Sequence, residues 1–319
     1  MSRLAGRVAV VTGGGRGLGR AHALALAAHG AAVVVNDLGA DLDGQGSDAS
    51  PARAVVAEIE ALGGRAVVSG HDVTRWEQAE ELVQLAVETY GDLHVLVNNA
   101  GILRDRLLAN MAEDEWDAVV QVHLKGHAAP TRHAVAYWRE RAKAGHAVTA
   151  SVVHTTSASA FVGAFGQANY AAAKMGVIGL SQVVATEYGR YGVRSNVVSP
   201  MASTRMAGSS ALVVEGAEPA ELERLLDPAN VAAVVAWLAE AGCPATRQVL
   251  HVYGGRCLVL DVPAVRADVR AKEDRFTPEE LDAALEGGVL APGLGFAELF
   301  DEPGVVAASE QPSSGRTGF

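Results

Sequence analysis

A glycine-rich turn between a short apolar run and a helical run constrains the fold of this chain more than any other segment. Residues 7–11 are apolar enough for a buried strand, and the turn Thr12-Gly-Gly-Gly-Arg-Gly-Leu-Gly19 leads into a helical run over residues 20–29. Glycines let the backbone approach a pyrophosphate closely, and the first N–H groups of the following helix point at its charge. The sequence therefore predicts a phosphate-binding turn, with the spacing Gly-x-x-x-Gly-x-Gly.

Strand-like and helical stretches alternate along the rest of the chain. This alternation is typical of a doubly wound α/β fold, a parallel sheet with helices on both faces. Gly126 and Pro130 predict a bend in the long helical stretch 113–144. Seven strands are predicted, at residues 7–11, 32–36, 65–69, 94–97, 150–156, 193–199 and 248–252.

Composition excludes several classes of protein. The chain has 319 residues, 49% of them hydrophobic, and a net charge of −11, so it carries no basic footprint for nucleic acid. It contains no apolar run of the roughly 20 residues needed to span a bilayer, and its N-terminus leads straight into a strand without a signal peptide. Two cysteines fit a reduced cytosol, and the scattered histidines have no metal-ligand spacing. We therefore expect a cytoplasmic protein without a metal.

The chain is expected to form one dinucleotide-binding domain with a tail. The domain covers residues 1–262, an extension with a short helix at 277–286 covers 263–306, and the Gly/Ser-rich residues 307–319 are expected to be disordered. Residues 202–226 lack an apolar period, which fits a mobile lid over the active site and an ordinary surface excursion equally well. The Gly/Asp-rich residues 38–50 are interpreted as a flexible loop.

Three side chains in the middle of the chain suit proton transfer to or from an alcohol oxygen. Tyr170 and Lys174 are four residues apart in an Ala-rich run, so they share one face of a helix, and Ser157 follows the predicted strand 150–156. A free tyrosine titrates near ~10, too high for a base at neutral pH. An ammonium one helical turn away favours the phenolate and is expected to lower that pKa towards the useful range.

Two acidic residues and one arginine bear on the choice of dinucleotide. Asp37 ends the strand 32–36, where a carboxylate accepts hydrogen bonds from the adenosine ribose and repels a 2′-phosphate, which argues for NAD. Arg16 lies inside the glycine turn and argues mildly for NADP, since a cation could hold that phosphate. Asp72 follows the strand 65–69, where it could touch adenine. We therefore expect NAD as the cofactor, with NADP less favoured.

Four motifs in order resemble the short-chain dehydrogenase/reductase family: Thr12-Gly-x-x-x-Gly-x-Gly19, Asn98-Asn-Ala-Gly101, Ser157 and Tyr170-x-x-x-Lys174. The resemblance covers residues 5–260 and implies a Rossmann-like sheet of seven strands and hydride exchange with a nicotinamide cofactor. It also implies that Tyr170 is the acid/base, that Ser157 orients the reacting oxygen, and that Lys174 holds the ribose. The dinucleotide-binding residues expected on these grounds are Gly13, Arg16, Gly17, Leu18, Gly19, Asp37, Asp72, Val73, Asn99, Ala100, Gly101, Tyr170, Lys174 and Pro200.

Longer motifs resemble one branch of that family, the dehydrogenase portions of the type 2 peroxisomal multifunctional enzymes. The branch resemblance rests on Asn36-Asp-Leu-Gly39, Asn98-Asn-Ala-Gly-Ile-Leu-Arg-Asp105, Val122-His-Leu-Lys-Gly126 and Phe165-Gly-Gln-Ala-Asn-Tyr170. It implies a (3R)-hydroxyacyl-CoA or hydroxysteroid-like alcohol as the substrate. Arg104, Arg106 and Lys125 are candidate cations for a CoA thioester, and family resemblance suggests a homodimer or homotetramer.

The sequence departs from the wider family at two positions. His123 stands where most members have Asn, so its side chain could act in proton transfer or in packing, while its carbonyl could still hold a relay water. Pro200-Met201 replaces the usual Pro-Gly after the sixth strand and adds bulk near the nicotinamide. Two other functions stay open: an NADPH-dependent ketoreductase of secondary metabolism, and a non-catalytic dinucleotide-binding scaffold.

Overall fold

The computed structural model of the protein describes residues 2–41, 43–203, 212–214, 219–261 and 305–307. The expected helix at 277–286 and the tail 308–319 lie outside the described residues, as does most of the extension 263–306. The segment 202–226, interpreted above as a lid or a surface excursion, is described only in part. Within the described part of the chain, the helices are too short or too polar to cross a membrane.

An eight-stranded sheet forms the centre of the molecule. Its strand order is β3-β2-β1-β4-β5-β6-β8-β9, which fits the doubly wound fold predicted above. The pairs from β3 through β8 are parallel. The strands are β1 Val8–Thr12, β2 Ala32–Asn36, β3 Arg65–Ser69, β4 Val95–Asn98, β5 Ala150–Thr155, β6 Val193–Pro200, β8 Val249–Tyr253 and β9 Arg256–Leu260. Outside this sheet, β7 Leu212–Val214 pairs antiparallel with β10 Val305–Ala307.

Helices cover both faces of the sheet. They are α1 Gly17–Ala28, α2 Ser50–Ala61, α3 Trp76–Tyr90, α4 Glu113–Val120, α5 Gly126–Lys143, α6 Ser159–Val162, α7 Ala168–Tyr188, α8 Pro219–Leu225 and α9 Pro228–Leu238, with short 3-10 turns at Leu108–Asn110 and Gly189–Tyr191. Asp227 caps α9, because its carboxylate accepts a hydrogen bond from the N–H of Ala229 at 2.8 Å.

The alternation of side chains along the strands divides the core into two layers. Ala9 and Val11 of β1 belong to the buried cluster under α1, α2 and α9. Val8 and Val10 of the same strand belong to the cluster under α3, α5 and α7. Because both faces of the strands are buried, β1 and β2 consist of almost continuous apolar residues.

The seven predicted parallel strands are all present, and the sheet has an eighth strand that the sequence analysis did not predict. β9 is antiparallel to β8, with Tyr253 paired to Arg256 across the two-residue turn Gly254-Gly255. Two glycines suit such a tight hairpin, and Gly254 has a φ of +49°. The chain therefore folds back beside β8 instead of crossing the sheet again, and β9 forms one edge.

The long helical stretch contains an irregular turn directly before Gly126, one of the two residues expected to bend it. Between α4 and α5, residues Gln121–Lys125 form a single π-helical turn, in which the N–H of Gly126 donates to the carbonyl of Gln121. Pro130 lies inside α5 and does not end it. Gly126 permits close packing, since a Cβ there would lie 3.1 Å from Cγ2 of Val73. The irregular turn places the side chain of His123 towards the carboxyl edge of the sheet.

Trp138 anchors α5 in the core layer under α3, α5 and α7 and provides a test of this packing. Its side chain is 1% exposed, and its indole N–H donates to the carbonyl of Leu93 at 2.7 Å. Trp138→Ala should lower the free energy of unfolding by about 3–5 kcal/mol, as measured by urea denaturation. Trp237→Ala is the matched control, because Trp237 is 36% exposed on α9. Equal losses in the two variants would contradict the assignment of Trp138 to the core.

Candidate active site

The carboxyl ends of β1, β4 and β5 lie side by side in the sheet and position the candidate site. The glycine turn follows β1, the segment Asn99-Ala100-Gly101 follows β4, and Ser157 follows β5. Tyr170 and Lys174 lie on the first turns of α7. Residues that are far apart in the sequence therefore meet at one edge, as expected for ligand sites of open α/β sheets.

The glycine turn has a backbone shape that only glycine adopts easily. Gly13 and Gly17 have φ values of +63° and +50°. A Cβ on Gly13 would lie 2.8 Å from the Cα of Ala100, and a Cβ on Gly19 would overlap the carbonyl oxygen of Gly13. The turn is thus packed directly against the segment after β4 and against its own helix.

Hydrogen bonds between Thr12 and Asn99 fasten the two loops together. The hydroxyl oxygen of Thr12 accepts from the N–H groups of Asn99 and Ala100 at 3.0 and 3.1 Å. The amide of Asn99 donates to the carbonyls of Thr12 and Gly13 at 3.1 and 3.2 Å. The glycine turn and the segment after β4 are therefore held in place by contacts within the protein.

A cleft opens beside the glycine turn, and most of the residues predicted to bind a dinucleotide line it. Of those, the lining includes Gly13, Arg16, Gly17, Leu18, Asp37, Asp72, Val73, Asn99, Ala100 and Gly101. Gly19 lies outside the lining and acts through packing. Pro200 ends β6 farther along the sheet, where it pairs with Val252. Tyr170 and Lys174 are not part of this lining, but the ring of Tyr170 meets His123, which contacts Ile102 in the lining.

The residues that follow Asp37 form a wall of the cleft that the sequence analysis missed. Leu38, Ala40, Asp41 and Gly44 belong to the lining, although this segment was interpreted only as a flexible loop. Its Gly/Asp-rich composition predicts a loop but carries no signal for where that loop packs.

The polar groups at this wall are held by protein contacts. The carboxylate of Asp37 accepts from the N–H of Gly15 at 2.7 Å and from the N–H of Gly39 at 2.6 Å. The guanidinium of Arg16 donates to the carbonyl of Ala40 at 3.4 Å. Asp72 also lines the cleft, while its carboxylate accepts from the N–H and the hydroxyl of Thr74 at 2.9 and 2.8 Å. Asp37 therefore meets the glycine turn directly.

Ser157, Tyr170 and Lys174 converge next to the cleft. A hydrogen bond from Ser157 is among the causes that act on the pKa of the Tyr170 phenol, and it lowers that pKa. The ammonium of Lys174 lies 5.7 Å from the centre of the Tyr170 ring and donates to the carbonyl of Thr155 at 2.7 Å. The side chain of Lys174 is 2% exposed. The spacing predicted from the sequence is therefore realised on one face of α7.

The protonation equilibria differ from the sequence-based expectation. Burial raises the pKa of Tyr170 to about 12, the hydrogen bond from Ser157 opposes that rise, and the charge of Asp105 adds to it. Burial also lowers the pKa of Lys174 to about 7, so at neutral pH the side chain is only partly charged. The pKa of the phenol therefore departs in the opposite direction from the lowering predicted for a neighbouring Lys174, because burial is the largest cause and raises it.

His123 packs between the cleft and Tyr170. Its ring lies edge-on to the Tyr170 ring, with centroids 4.9 Å apart, and its Nε2 lies 2.7 Å from the carbonyl oxygen of Ile102, which lines the cleft. A Cβ on Gly101 would overlap Cε1 of His123. Burial, followed by the charge of Lys174, holds the pKa of His123 well below its ordinary value. The imidazole is therefore neutral and connects the phenol to the cleft wall.

Two more buried histidines, which the sequence analysis did not single out, lie near Lys174. His127 and His154 stack with centroids 5.6 Å apart. Burial, and then the charge of Lys174, lowers the pKa of His154 to about 3 and that of His127 well below its ordinary value. The side-chain nitrogen of Lys174 therefore lies among imidazole rings that are neutral at pH 7.

The three candidate cations for a CoA thioester differ in their surroundings. Arg104 donates to the carbonyl of Asp43 at 3.0 Å and lies 3.8 Å from the carboxylate of Asp114. Arg106 forms an ion pair with Glu115 at 3.1 Å. Lys125 is exposed on the π-helical turn. Two of the three are therefore already engaged by acidic residues.

Comparison with known families identifies the group to which this site belongs. A model of the short chain dehydrogenases matches residues 7–212. The chain belongs to the short-chain dehydrogenase family. The matched region contains β1 to β6, the glycine turn, and the three side chains Ser157, Tyr170 and Lys174.

Similar proteins agree with the family and include named enzymes. The hydroxyacyl-CoA dehydrogenase ChsB1 of Mycobacterium tuberculosis is 43% identical over 289 residues, which cover 88% of each chain. The peroxisomal multifunctional enzyme type 2 of Mus musculus is 41% identical over 87% of this chain, which spans 36% of that enzyme. A short chain dehydrogenase from Mycobacterium avium, known from a crystal structure, is 47% identical in sequence and superimposes with a TM-score of 0.80. The match covers 92% of this chain and 98% of the other.

Short-chain dehydrogenases bind a nicotinamide dinucleotide, and the residues present at the cleft fit such a group. The glycine turn leaves backbone N–H groups at the start of α1 without side chains in front of them, which suits a pyrophosphate. The residues of the turn, Asp37 and the segment after β4 could hold the dinucleotide along the cleft.

Gly19→Ala tests the close packing of the glycine turn. The added Cβ would overlap the Gly13 carbonyl and lie 2.6 Å from the amide nitrogen of Asn99, so the turn must shift. We expect the dissociation constant for NADH, measured by fluorescence titration, to rise about tenfold or more, which corresponds to about 1.4 kcal/mol. Gly179→Ala on α7 is the matched control, because a Cβ there meets no atom within 4 Å. Unchanged affinity in Gly19→Ala would contradict this account of the turn.

Proposed function

We propose that this short-chain dehydrogenase oxidises the secondary alcohol of a 3-hydroxyacyl-CoA thioester, or of a hydroxysteroid-like compound, with NAD as the acceptor. The observation that carries the proposal is the convergence of Ser157, Tyr170 and Lys174 beside the glycine-turn cleft. Support for the substrate class comes from a relative named hydroxyacyl-CoA dehydrogenase that is similar over 88% of the chain.

The side chains of the site divide the reaction between them. Tyr170 accepts the hydroxyl proton of the alcohol in the oxidising direction and returns it in the reducing direction. Ser157 donates a hydrogen bond to the reacting oxygen as negative charge develops there. Lys174 donates to the carbonyl of Thr155 and so fixes the position of α7 beside the phenol. A bound nicotinamide supplies the carbon that accepts the hydride, while the protein provides position and electrostatics.

NAD is the preferred dinucleotide in this proposal because of the charges at the cleft. Asp37 and Asp41 both line the cleft and would repel a 2′-phosphate. Arg16, the residue that favours the alternative NADPH-dependent ketoreductase, donates to the carbonyl of Ala40. The charge of Arg16 also contributes to the lowered pKa of Asp48, after the hydrogen bonds from Ser50. The arginine therefore already interacts with the loop that follows Asp37.

The role of Tyr170 is tested by Tyr170→Phe. A panel of (3R)- and (3S)-3-hydroxyacyl-CoA thioesters and steroid alcohols, followed by NADH absorbance, first identifies the substrate. Loss of the phenol should then lower kcat by about 10²–10⁴-fold. Tyr188→Phe at the far end of α7 is the matched control and should keep its activity. Near-normal turnover in Tyr170→Phe would defeat the proposed mechanism.

The pH dependence of the wild-type enzyme follows from the raised pKa of Tyr170, about 12. Oxidation needs the phenolate, whose fraction grows with pH below that pKa, so its rate should rise between pH 7 and pH 10. Ketone reduction needs the protonated phenol and should stay nearly constant over the same range. Initial rates in both directions check this, and an oxidation rate that is independent of pH would contradict the phenol as the base.

The choice of cofactor is tested by Asp37→Asn, which removes the charge but keeps a carbonyl acceptor for the N–H of Gly15. We expect the ratio of kcat/KM with NADP to that with NAD to rise about tenfold or more, equivalent to about 1.4 kcal/mol. Asp43→Asn is the control, because Asp43 carries the same charge on the same loop but lies outside the cleft lining. A ratio that does not move in Asp37→Asn would remove the basis for the preference.

A further inference from the structure

A continuous series of hydrogen-bonding side chains connects Ser157 with an acidic residue at the rim of the site. The amide nitrogen of Gln167 donates to the carboxylate of Asp105 at 3.0 Å, and the hydroxyl of Ser159 donates to the amide oxygen of Gln167 at 2.9 Å. Ser159 in turn meets Ser157, because its N–H lies 3.2 Å and its hydroxyl oxygen 3.4 Å from the Ser157 hydroxyl oxygen.

We propose that Asp105 is a positioning residue for the reaction: through Gln167 and Ser159 it sets the direction of the hydrogen bonds that reach Ser157. The inference rests on the proposed roles of Tyr170 and Ser157 in alcohol oxidation. Asp105 itself touches neither the phenol nor the cleft wall described above.

The direction of the series follows from the chemistry of its members. An ionised carboxylate only accepts hydrogen bonds, so Asp105 requires the amide nitrogen of Gln167 to face it. The amide oxygen of Gln167 must then face Ser159, whose single hydroxyl proton is used to reach it. Which way the amide of a glutamine points is decided by such partners, and here the carboxylate decides it.

Ser159 consequently has no hydroxyl proton left for Ser157. The oxygen of Ser157 keeps one lone pair for the N–H of Ser159 and a second that can accept the hydrogen of the Tyr170 phenol. When the phenol is protonated, each group in the series donates to the next one. Tyr170 donates to Ser157, Ser157 to Ser159, Ser159 to Gln167 and Gln167 to Asp105. Hydrogen bonds aligned in one direction strengthen one another, so the series favours the protonated phenol.

The charge of Asp105 acts in the same sense as the aligned hydrogen bonds. It is one of the causes that raise the pKa of Tyr170, after burial, while the hydrogen bond from Ser157 lowers it. When the phenol loses its proton, Ser157 must turn its own hydroxyl towards the phenolate. Asp105 therefore favours the protonated phenol of Tyr170, whereas Ser157 favours its phenolate.

The backbone around Asp105 holds the carboxylate in this place. The N–H of Arg106 donates to the carbonyl of Gly166 at 2.8 Å, and the amide of Asn169 donates to the carbonyl of Arg104 at 3.1 Å. Two main-chain contacts on either side of Asp105 thus clamp its loop to the segment that leads into α7. Gln167 is 5% exposed, so the amide between Asp105 and Ser159 is buried.

Asp105→Asn provides the test, because asparagine fits the same space and can still accept from Gln167 but carries no charge. The oxidation rate with NAD and a (3R)-3-hydroxyacyl-CoA is measured from pH 6.5 to pH 10. We expect the rising curve to move to lower pH, since the phenolate becomes easier to form. A merely structural role would change stability or KM but would not displace this curve.

Asp114→Asn is the matched control, because Asp114 is an exposed carboxylate on α4 near Arg104 and lies outside the series. Its curve should coincide with that of the wild type. A curve for Asp105→Asn that also coincides with the wild type would overturn the inference. An active Tyr170→Phe would instead overturn the proposed function, so the two failures are distinguishable.

Ser159 supplies an independent check of the series. Ser159→Ala removes the hydroxyl that reaches Gln167, and we expect kcat to fall by about fivefold, the effect of losing roughly 1 kcal/mol of hydrogen bonding. Ser159→Thr keeps a hydroxyl and should restore most of kcat, with the KM for NAD unchanged in both variants. Full activity in Ser159→Ala would contradict a connection between Asp105 and Ser157.

Discussion

Two hydrogen bonds between α7 and the end of β5 hold the candidate site together. The ammonium of Lys174 donates to the carbonyl of Thr155, and the hydroxyl of Thr156 donates to the carbonyl of Lys174 at 2.8 Å. Both contacts are buried, so water does not compete with them. They fix the rotation of α7 about its axis, and with it the side of the helix from which Tyr170 reaches Ser157. The geometry of the site is thus a consequence of how one helix is docked on one strand.

Burial at this docking site explains why the local electrostatics oppose simple expectations. The same low-dielectric surroundings that strengthen the Lys174 contact lower the pKa of its ammonium and raise that of the phenol. The neighbouring imidazoles respond in the same way and remain neutral. The protonation state of the Tyr170 phenol therefore depends on the charges of bound ligands and on hydrogen bonds whose direction changes when the phenol loses its proton. Its surroundings in the protein alone favour the uncharged phenol.

Local patterns in the sequence predicted much of the fold, because the central strands are short apolar runs between turn residues. The strands β2 and β3 were predicted with the bounds that the structure has, and the glycine turn was recognised by its spacing. The hairpin of β8 and β9 was missed, although Gly254-Gly255 between two apolar runs is a local signal for it. Gly126 and Pro130 were expected to bend the long helical stretch; the structure has a π-helical turn directly before Gly126, and Pro130 lies inside α5.

The parts of the site that sequence could not predict depend on tertiary contacts. Residues 38–44 are polar and glycine-rich, which describes a loop but not the cleft wall it forms. The pKa of Tyr170 depends on burial, and no pattern of residues reports how deeply a side chain lies. The connection from Asp105 to Ser159 joins segments that are far apart in the sequence and meet where the folded loops around Arg106 and Gly166 pack together. Spacing identified the chemical groups, while their environment came from the fold.

The strand order has a consequence for how this protein acquires its activity. The cleft needs β1 beside β4, and the proton-transferring groups need β4 beside β5, so residues 86 positions apart in the first pair and 56 positions apart in the second must pair in parallel. Parallel pairing over such separations is slow, because a large loop must close before any contact forms. During refolding from denaturant, the spectroscopic signal of the helices can return early. Catalytic turnover returns only after β1, β4 and β5 have paired. Regained catalysis is therefore a late marker of the native state.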